Sequence, residues 1–348
     1  MATGWLVLED GTRFEGRLFG ATGGARGEVV CNTGVTGYQE VLTDPVFCGQ
    51  IVVLSYPVIG NLGASPENCE SARPHLRGLV VRQLSEPRDN GGGSLERFLS
   101  GHGVVGLEEV DTRALVRHIR ETGCLRGSIT WSPEGAAEAA EESADWVDQV
   151  TTRRPYRIYG DGPRVVVLDC GLRNGMLKTL TDRYDCDLTV VPAQTAAADI
   201  MDFRPDGVLL SSGPGDAGRL GHLVGTVQDL LGRVPVFGIG LGHHLLGLAL
   251  GAGTGRLKFG HRGLNHPVRE VASGRVFITA QNHGYVLEEN SLGKAGLEIT
   301  FRSLSDGTVE GTRHRDLPVS GVDFHPQARP GPEDAVKAFE PFWNLIHR

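Results

Sequence analysis

The first part of the chain alternates short apolar, β-branched runs with Gly, Pro and Asn. It begins with WLVLEDGTRFEGRLFG, in which Asp10-Gly11 predicts a hairpin turn between two alternating strands. Two helical patterns follow, SLERFLSGHG and DTRALVRHIRETG, and the second has Asp111 as its expected N-cap and Gly123 as its expected stop. These patterns predict a compact α+β domain over residues 1–150.

The pattern changes after a polar, Pro- and Gly-rich segment at 151–163, which we interpret as a linker. From residue 164 onward, RVVVLDCG, DLTVVPAQ, DGVLLSSGPGD and VPVFGIG are almost continuously apolar, and each precedes a helical pattern or a Gly-rich turn. This alternation indicates a parallel sheet that is buried on both faces. Further strand-like runs complete the sheet, so residues 164–348 are predicted to form an α/β domain.

Two Gly-rich turns follow predicted strands, at the edge where α/β sheets carry functional groups. SSGPGD, at 211–216, exposes backbone N–H groups that can bind an oxyanion. GIGLGHH, at 238–244, has the G-x-x-x-G frame of a nucleophile elbow, which raises one side chain beside the N-terminal amides of a helix. Its apex is Gly240, so the frame carries no nucleophile.

Length, charge and cysteine usage exclude several classes of function. A chain of 348 residues fits two domains, and a net charge of -8 argues against a nucleic-acid partner. No run approaches the roughly 18 apolar residues of a membrane helix, and the N-terminus meets acidic residues too early for a signal peptide, so we expect a cytoplasmic protein with no membrane association. The six cysteines lack C-x-x-C spacing, so neither a disulfide framework nor a zinc site is expected.

Taken together, the motifs resemble the small subunit of carbamoyl phosphate synthetase, whose C-terminal half is a class I glutamine amidotransferase. The resemblance covers nearly the whole chain. It rests on GEVVCNTGVTGYQEVLTDP, SYPVIGNLG and DTRALVRHIRETG in the first domain, and on SSGPGD, PVFGIGLGHHLLGLALGA, LKFGHRGLNHPV, ITAQNHGY and FHPQARPGP in the second. It implies an α/β fold in which an N-terminal α+β small-subunit domain precedes an amidotransferase domain with a mostly parallel central sheet.

The resemblance also implies an activity and a partner. Members hydrolyse glutamine through a Cys-His-Glu triad and pass ammonia to a large subunit, for arginine and pyrimidine precursor synthesis. ATP and bicarbonate would bind that large subunit, so no cofactor is expected in this chain.

Roles can be carried over position by position. The remaining triad histidine is His325, and the oxyanion donors fall on Gly213 and Leu241. The positions that contact glutamine are Gly215, Asn282, Gly284 and Tyr285.

The departures from the family pattern fall on the catalytic positions. Gly240 occupies the nucleophile position and Gln327 the third triad position, while His244 replaces a substrate-contacting Gln and Val46 replaces a Ser that reaches in from the first domain. Because triad members act as a unit, loss of a nucleophile costs roughly 10⁶ in kcat, so we predict that glutamine is not hydrolysed. Gln327 is expected to hydrogen-bond His325 without supplying charge.

Another cysteine or a metal ion could in principle replace the missing nucleophile, but we expect neither. Cys48 and Cys170 lie near the motifs, but we interpret both as packed rather than reactive. A metal on His244, His283 and His325 is not expected, because the sequence places no carboxylate or thiolate with them.

Three functions remain open at this point. The chain is a non-hydrolysing small subunit that docks to a large subunit using free ammonia, or a repurposed enzyme in which His244 and His325 perform acid-base chemistry on an amide or carboxylate substrate. The third is a module that senses glutamine or a similar ligand without turnover.

Overall fold

The computed structural model describes residues 2–85, 93–134, 145–327 and 331–347. The chain divides into two compact units, Met1–Ala144 and Asp145–Arg348. Within the described ranges, no helix combines the length and the apolar character needed to cross a membrane.

The first unit is built around a closed barrel. Its strands are β1 (Thr3–Leu8), β2 (Arg13–Gly20), β3 (Ala25–Asn32), β4 (Gln50–Leu54), β5 (Gly78–Val80), β6 (Val105–Glu108) and β7 (Arg126–Thr130). Its α-helices are α1 (Tyr38–Leu42), α2 (Leu95–Gly101) and α3 (Thr112–Thr122), and 3₁₀ helices cover Pro45–Phe47 and Pro66–Asn68.

The strands of the barrel follow the order β1-β2-β6-β5-β4-β3-β7. β1 and β2 pair antiparallel across Asp10-Gly11, as the hairpin pattern predicts. Asp111 caps α3, and its carboxylate accepts a hydrogen bond of 3.0 Å from the Ala114 amide. Leu6, Val29 and Ile51 are fully buried in one of the unit's hydrophobic clusters.

The second unit is a layered α/β structure. Its strands are β8 (Tyr156–Ile158), β9 (Arg164–Asp169), β10 (Asp187–Pro192), β11 (Gly207–Leu210), β12 (Val236–Ile239), β13 (Thr254–Glu270), β14 (Val276–Leu287), β15 (Leu297–Ser303), β16 (Val309–His314) and β17 (Val319–Val322). Its α-helices are α4 (Trp146–Val150), α5 (Asn174–Asp182), α6 (Ala197–Asp202), α7 (Gly221–Leu230), α8 (Leu241–Ala249), α9 (Glu289–Leu292) and α10 (Glu340–Ile346), and 3₁₀ helices cover Ala217–Arg219 and Glu333–Phe339.

All ten strands form one sheet, in the order β14-β13-β15-β16-β17-β12-β11-β9-β10-β8. The five central strands, β17, β12, β11, β9 and β10, are mutually parallel, and the outer strands pair antiparallel. The sheet is therefore parallel at its centre rather than throughout, because the short connections β13–β14, β15–β16 and β16–β17 permit only antiparallel neighbours. Along β9, Val166 and Leu168 pack on one face while Val165 and Val167 pack on the other, which explains the unbroken apolar run.

Two segments around the predicted linker belong to the second unit. The sequence pattern places residues 145–150 in the first domain, yet Val147 of α4 packs in the core of the second unit. Within 151–163, β8 pairs antiparallel with β10 as an edge strand. Tyr156 and Arg157 are exposed on it, which is why the segment has the composition of a linker.

Candidate active site

The candidate site lies where four adjacent parallel strands end. β17, β12, β11 and β9 are neighbours, so the residues that follow them meet at one edge of the sheet. These residues are 323–327, 240–241, 211–215 and 170–173. The two Gly-rich turns of the sequence are therefore brought together with His325.

The turn between β12 and α8 has the backbone of a nucleophile elbow. Gly240 has φ 54° and ψ −113°, its amide donates a 2.8 Å hydrogen bond to the Val322 carbonyl, and its own carbonyl accepts from the His244 amide at 3.1 Å. A Cβ built on Gly242 would lie 2.7 Å from the Leu210 carbonyl carbon, whereas one built on Gly240 would meet nothing closer than the Ser212 Cβ at 3.5 Å. The turn thus excludes a side chain at Gly242 but has room for one at its apex.

Two backbone amides remain suitable for an oxyanion. Leu241 begins α8, and a Cβ built on Gly213 would lie 2.7 Å from the Leu241 Cδ2, so the two residues are in direct proximity. In the described part of the chain, no protein acceptor bonds the amide of Gly213 or Leu241. The arrangement can place two N–H donors beside the apex of the turn.

His325 lies in a buried and positively charged environment. Its backbone amide donates a 2.8 Å hydrogen bond to the Ala280 carbonyl, which connects it to β14. Burial, followed by the charges of Arg173 and His283, holds the pKa of the His325 imidazole well below its usual value. His325 is therefore neutral at pH 7, which is the protonation state of a general base.

Arg173 is a site residue that sequence reasoning missed. It is only 1% exposed, directly precedes α5, and its charge acts on His325. A cation in the turn after the first apolar strand of an α/β domain is the signal that could have found it.

Gln327 does not form the hydrogen bond that the sequence analysis expects. Its side chain is buried, and neither amide atom has a hydrogen-bond partner among the residues that the structure describes. The hydrogen bond expected between Gln327 and His325 is therefore not present among the described residues.

His244 is held by a carboxylate that the sequence did not reveal as its partner. The His244 Nε2 lies 2.8 Å from Oδ1 and 3.0 Å from Oδ2 of Asp323, and both side chains are buried. Burial alone would raise the pKa of Asp323, but the charges of His244 and His283 hold it far below its usual range. The neighbouring His243 donates or accepts a 2.9 Å hydrogen bond with Thr312.

The other histidine of the sequence analysis, His283, also has a carboxylate beside it. Its Nε2 lies 3.6 Å from the Glu310 Oε2. Burial would lower the pKa of His283, but the charges of Asp323 and Glu310 raise it to about 9. The expectation that no carboxylate accompanies these histidines is therefore wrong, because Asp323 is distant in sequence from the His244 that it contacts, and Glu310 is distant from His283.

The proposed substrate contacts occupy two elements. Asn282, Gly284 and Tyr285 lie on β14, which reaches His325 through Ala280. Gly215 lies in the turn after β11 with φ 87°. Val46 belongs to the first unit, in the 3₁₀ helix Pro45–Phe47.

The two cysteines considered as substitute nucleophiles are buried. Cys170 follows β9, is 0% exposed and packs in a hydrophobic cluster, and burial strongly raises the pKa of its thiol. Burial likewise raises the pKa of Cys48 in the first unit. Neither supplies a thiolate at neutral pH.

Comparison with known proteins agrees with this architecture. Residues 166–345 match the family described as glutamine amidotransferase class-I, and residues 6–129 match the family described as carbamoyl-phosphate synthase small chain, CPSase domain. The crystal structure of a glutamine amidotransferase from Thermotoga maritima is similar with a TM-score of 0.38 and 17% identity, over 52% of this chain and 84% of that one. The second unit thus has the class I amidotransferase fold.

Two full-length relatives define the family more narrowly. The carbamoyl phosphate synthase small chain of Symbiobacterium thermophilum is 48% identical over 98% of this chain and 98% of its own, and that of Bacillus caldolyticus is 45% identical over 98% and 96%. The chain belongs to the carbamoyl phosphate synthase small chain family.

Proposed function

We propose that this protein is a small subunit that assembles with a carbamoyl phosphate synthase large subunit but does not hydrolyse glutamine. The observation that carries the proposal is Gly240, which occupies the apex of an otherwise complete elbow. The large subunit would bind ATP and bicarbonate and use free ammonia.

The chemistry explains why the loss is complete. Amide hydrolysis through a thioester begins with attack by a thiolate, and Gly240 offers no atom that can attack. The Gly213 and Leu241 amides could still stabilise an oxyanion, and a neutral His325 could still accept a proton. Without a nucleophile, however, the reaction cannot begin. Removal of a comparable nucleophile lowers kcat by roughly 10⁶.

The similarity over both units supports assembly. The relatives match along almost their full length, and the first unit matches the domain specific to the small chain.

The first experiment measures glutamate release from glutamine by the purified protein. We expect none above a heat-inactivated control. The variant Gly240→Cys with Gln327→Glu restores the nucleophile and the carboxylate, and we expect it to release glutamate. Its matched control is Gly240→Ala with Gln327→Glu, which adds a Cβ without a thiol. Glutamate release by the wild-type protein would overturn the proposal.

The second experiment tests the partner. The chain is co-expressed with the cognate large subunit, and the complex is assayed for carbamoyl phosphate synthesis with ammonia and with glutamine. We expect a stable complex that is active with ammonia and inactive with glutamine. Failure to form the complex would refute assembly, and calorimetric binding of glutamine by the isolated chain would then favour a sensing module.

A further inference from the structure

The β13–β14 hairpin and β16 bring a second group of polar side chains together outside the elbow. His261 of β13, His283 of β14 and Glu310 of β16 are all buried, and one donor atom of each lies within 4.8 Å of the others. Glu310 is 0% exposed and comes from a strand separated from β13 by β15 in the sheet. The cluster therefore connects β13 with β16, two strands that do not pair through main-chain hydrogen bonds.

The outer atoms of the cluster are fixed by hydrogen bonds. The Nδ1 of His283 lies 2.9 Å from the Tyr285 carbonyl oxygen, so this nitrogen carries the proton and donates it. The Nε2 of His261 lies 2.8 Å from the Asp306 Oδ2, and Glu310 accepts a hydrogen bond of 3.0 Å from the Gln281 Nε2. Each imidazole is thus hydrogen-bonded to a carbonyl or carboxylate oxygen, and the Glu310 carboxylate accepts from an amide. Hydrogen bonds of this kind orient the ligands of a bound metal.

The inner atoms are spaced for a cation. The His283 Nε2 is 3.6 Å from the Glu310 Oε2, which is too long for a hydrogen bond, and this nitrogen has no hydrogen-bond partner in the described ranges. The His261 Nδ1 is 3.1 Å from the Glu310 Oε1, which is a hydrogen bond that the ion would replace. Tetrahedral Zn²⁺ with ligand distances of about 2.0–2.2 Å separates its donor atoms by about 3.3–3.6 Å. The two observed separations, one to each carboxylate oxygen, lie within a few tenths of an ångström of that range.

We propose that His261, His283 and Glu310 bind one divalent transition-metal ion of the Zn²⁺ class. Two imidazoles and a carboxylate supply three of the four ligands of tetrahedral zinc, and a water would supply the fourth. Because these buried ligands tie the β13–β14 hairpin to β16, we expect the ion to stabilise the fold. Asp306, whose side chain is 41% exposed, marks the solvent side of the cluster and the path by which the ion enters. The proposal is independent of whether the protein hydrolyses glutamine.

A neighbouring group is a weaker candidate for the same ion. His243, His244 and Asp323 also lie within 4.8 Å of one another. There, however, the His244 Nε2 already contacts both oxygens of Asp323, and the His243 Nδ1 is 3.8 Å from the nearer oxygen. Its closest contact, 2.8 Å, and its gap, 3.8 Å, both depart further from the donor spacing around tetrahedral Zn²⁺ than the corresponding 3.1 Å and 3.6 Å separations of the first group.

The test uses the full chain prepared without a histidine tag. The protein is stripped with a chelator, dialysed against Zn²⁺, and analysed by mass spectrometry for metal content and by titration for affinity. We expect one Zn²⁺ per chain and an increase in melting temperature. Glu310→Gln is expected to weaken the affinity by more than about 100-fold, and Asp306→Asn, on the solvent side, by about 10–100-fold.

Two histidine variants serve as controls. His222→Gln alters an exposed histidine of α7, and His244→Gln alters the neighbouring group, so both are expected to retain the wild-type affinity. Co²⁺ loading of the wild-type protein is expected to give the intense visible absorption of tetrahedral coordination. Absence of stoichiometric Zn²⁺, or equal binding by wild type and the folded Asp306→Asn variant, would overturn the proposal. Loss of Zn²⁺ in His244→Gln alone would do so too, by assigning the ion to the other group.

Discussion

The ion pair of Asp323 with His244 gives the sharpest prediction about the site. Asp323 is 1% exposed and His244 is 3% exposed, with the imidazole nitrogen 2.8 Å and 3.0 Å from the two carboxylate oxygens. Asp323→Asn removes a buried carboxylate that the His244 imidazole contacts and whose charge helps to raise the pKa of His283 to about 9. Removing one charge of a buried pair costs about 3–5 kcal/mol, because the remaining charge is uncompensated.

The expected change in melting temperature follows from the size of the second unit. Domains of 150–250 residues lose about 2–4 °C per kcal/mol, so Asp323→Asn is expected to lower the melting temperature by about 6–20 °C. Because the pKa of Asp323 is held far below its usual value of 3.8, its stabilising effect is fully present above about pH 4 and is lost as the pH falls. At pH 7, Asp323→Asn should therefore show the full loss of stability.

A double-mutant cycle measures the pair directly. His244→Gln, Asp323→Asn and the double variant are compared by urea denaturation followed by circular dichroism. Two neutral amides can share a hydrogen bond, so the double variant should be more stable than the sum of the single effects predicts, by about 0.5–3 kcal/mol. Additive effects, or a loss of less than about 1 kcal/mol in Asp323→Asn, would contradict the assigned geometry.

Two further predictions concern packing and pH. Gly242→Ala, whose Cβ would lie 2.7 Å from the Leu210 carbonyl carbon, is expected to destabilise the protein by about 1–3 kcal/mol in urea denaturation. Its control, Gly225→Ala in α7, meets nothing within 4 Å and should stabilise the protein by about 0.4–1 kcal/mol; the opposite order would show that the elbow is not tightly packed. In the first unit, burial and then the charge of Arg73 lower the pKa of His75 to about 4. The unfolded chain therefore binds a proton at His75 more readily than the folded chain, and the free energy of unfolding should decrease as the pH falls from about 6.5 to 4. His75→Gln should remove this part of the pH dependence. If the variant and the wild type show the same difference in free energy of unfolding between pH 7 and pH 5, the lowered pKa of His75 would be contradicted.

Much of the second unit could be predicted from local sequence. The apolar runs of β9, β11 and β12 identified strands buried on both faces, since both faces of these strands contact hydrophobic clusters. The glycine frame around Gly240 predicted the elbow, because the approach of Leu210 at Gly242 tolerates no side chain. The edge strand β8 escaped prediction because its side chains are largely exposed, so its sequence lacks the apolar pattern of a buried strand.

By itself, the sequence determined that the apex of the elbow carries no side chain, because this is a property of one position, Gly240. It also determined the barrel hairpin and the central parallel strands, whose patterns are local. Only the tertiary structure decided which ionisable groups act on one another: Asp323 on His244, Glu310 on His261 and His283, and Arg173 on His325. These pairs join residues that are distant along the chain. The hydrophobic pattern of the sequence predicts strands, but it does not predict which carboxylate will lie beside which imidazole.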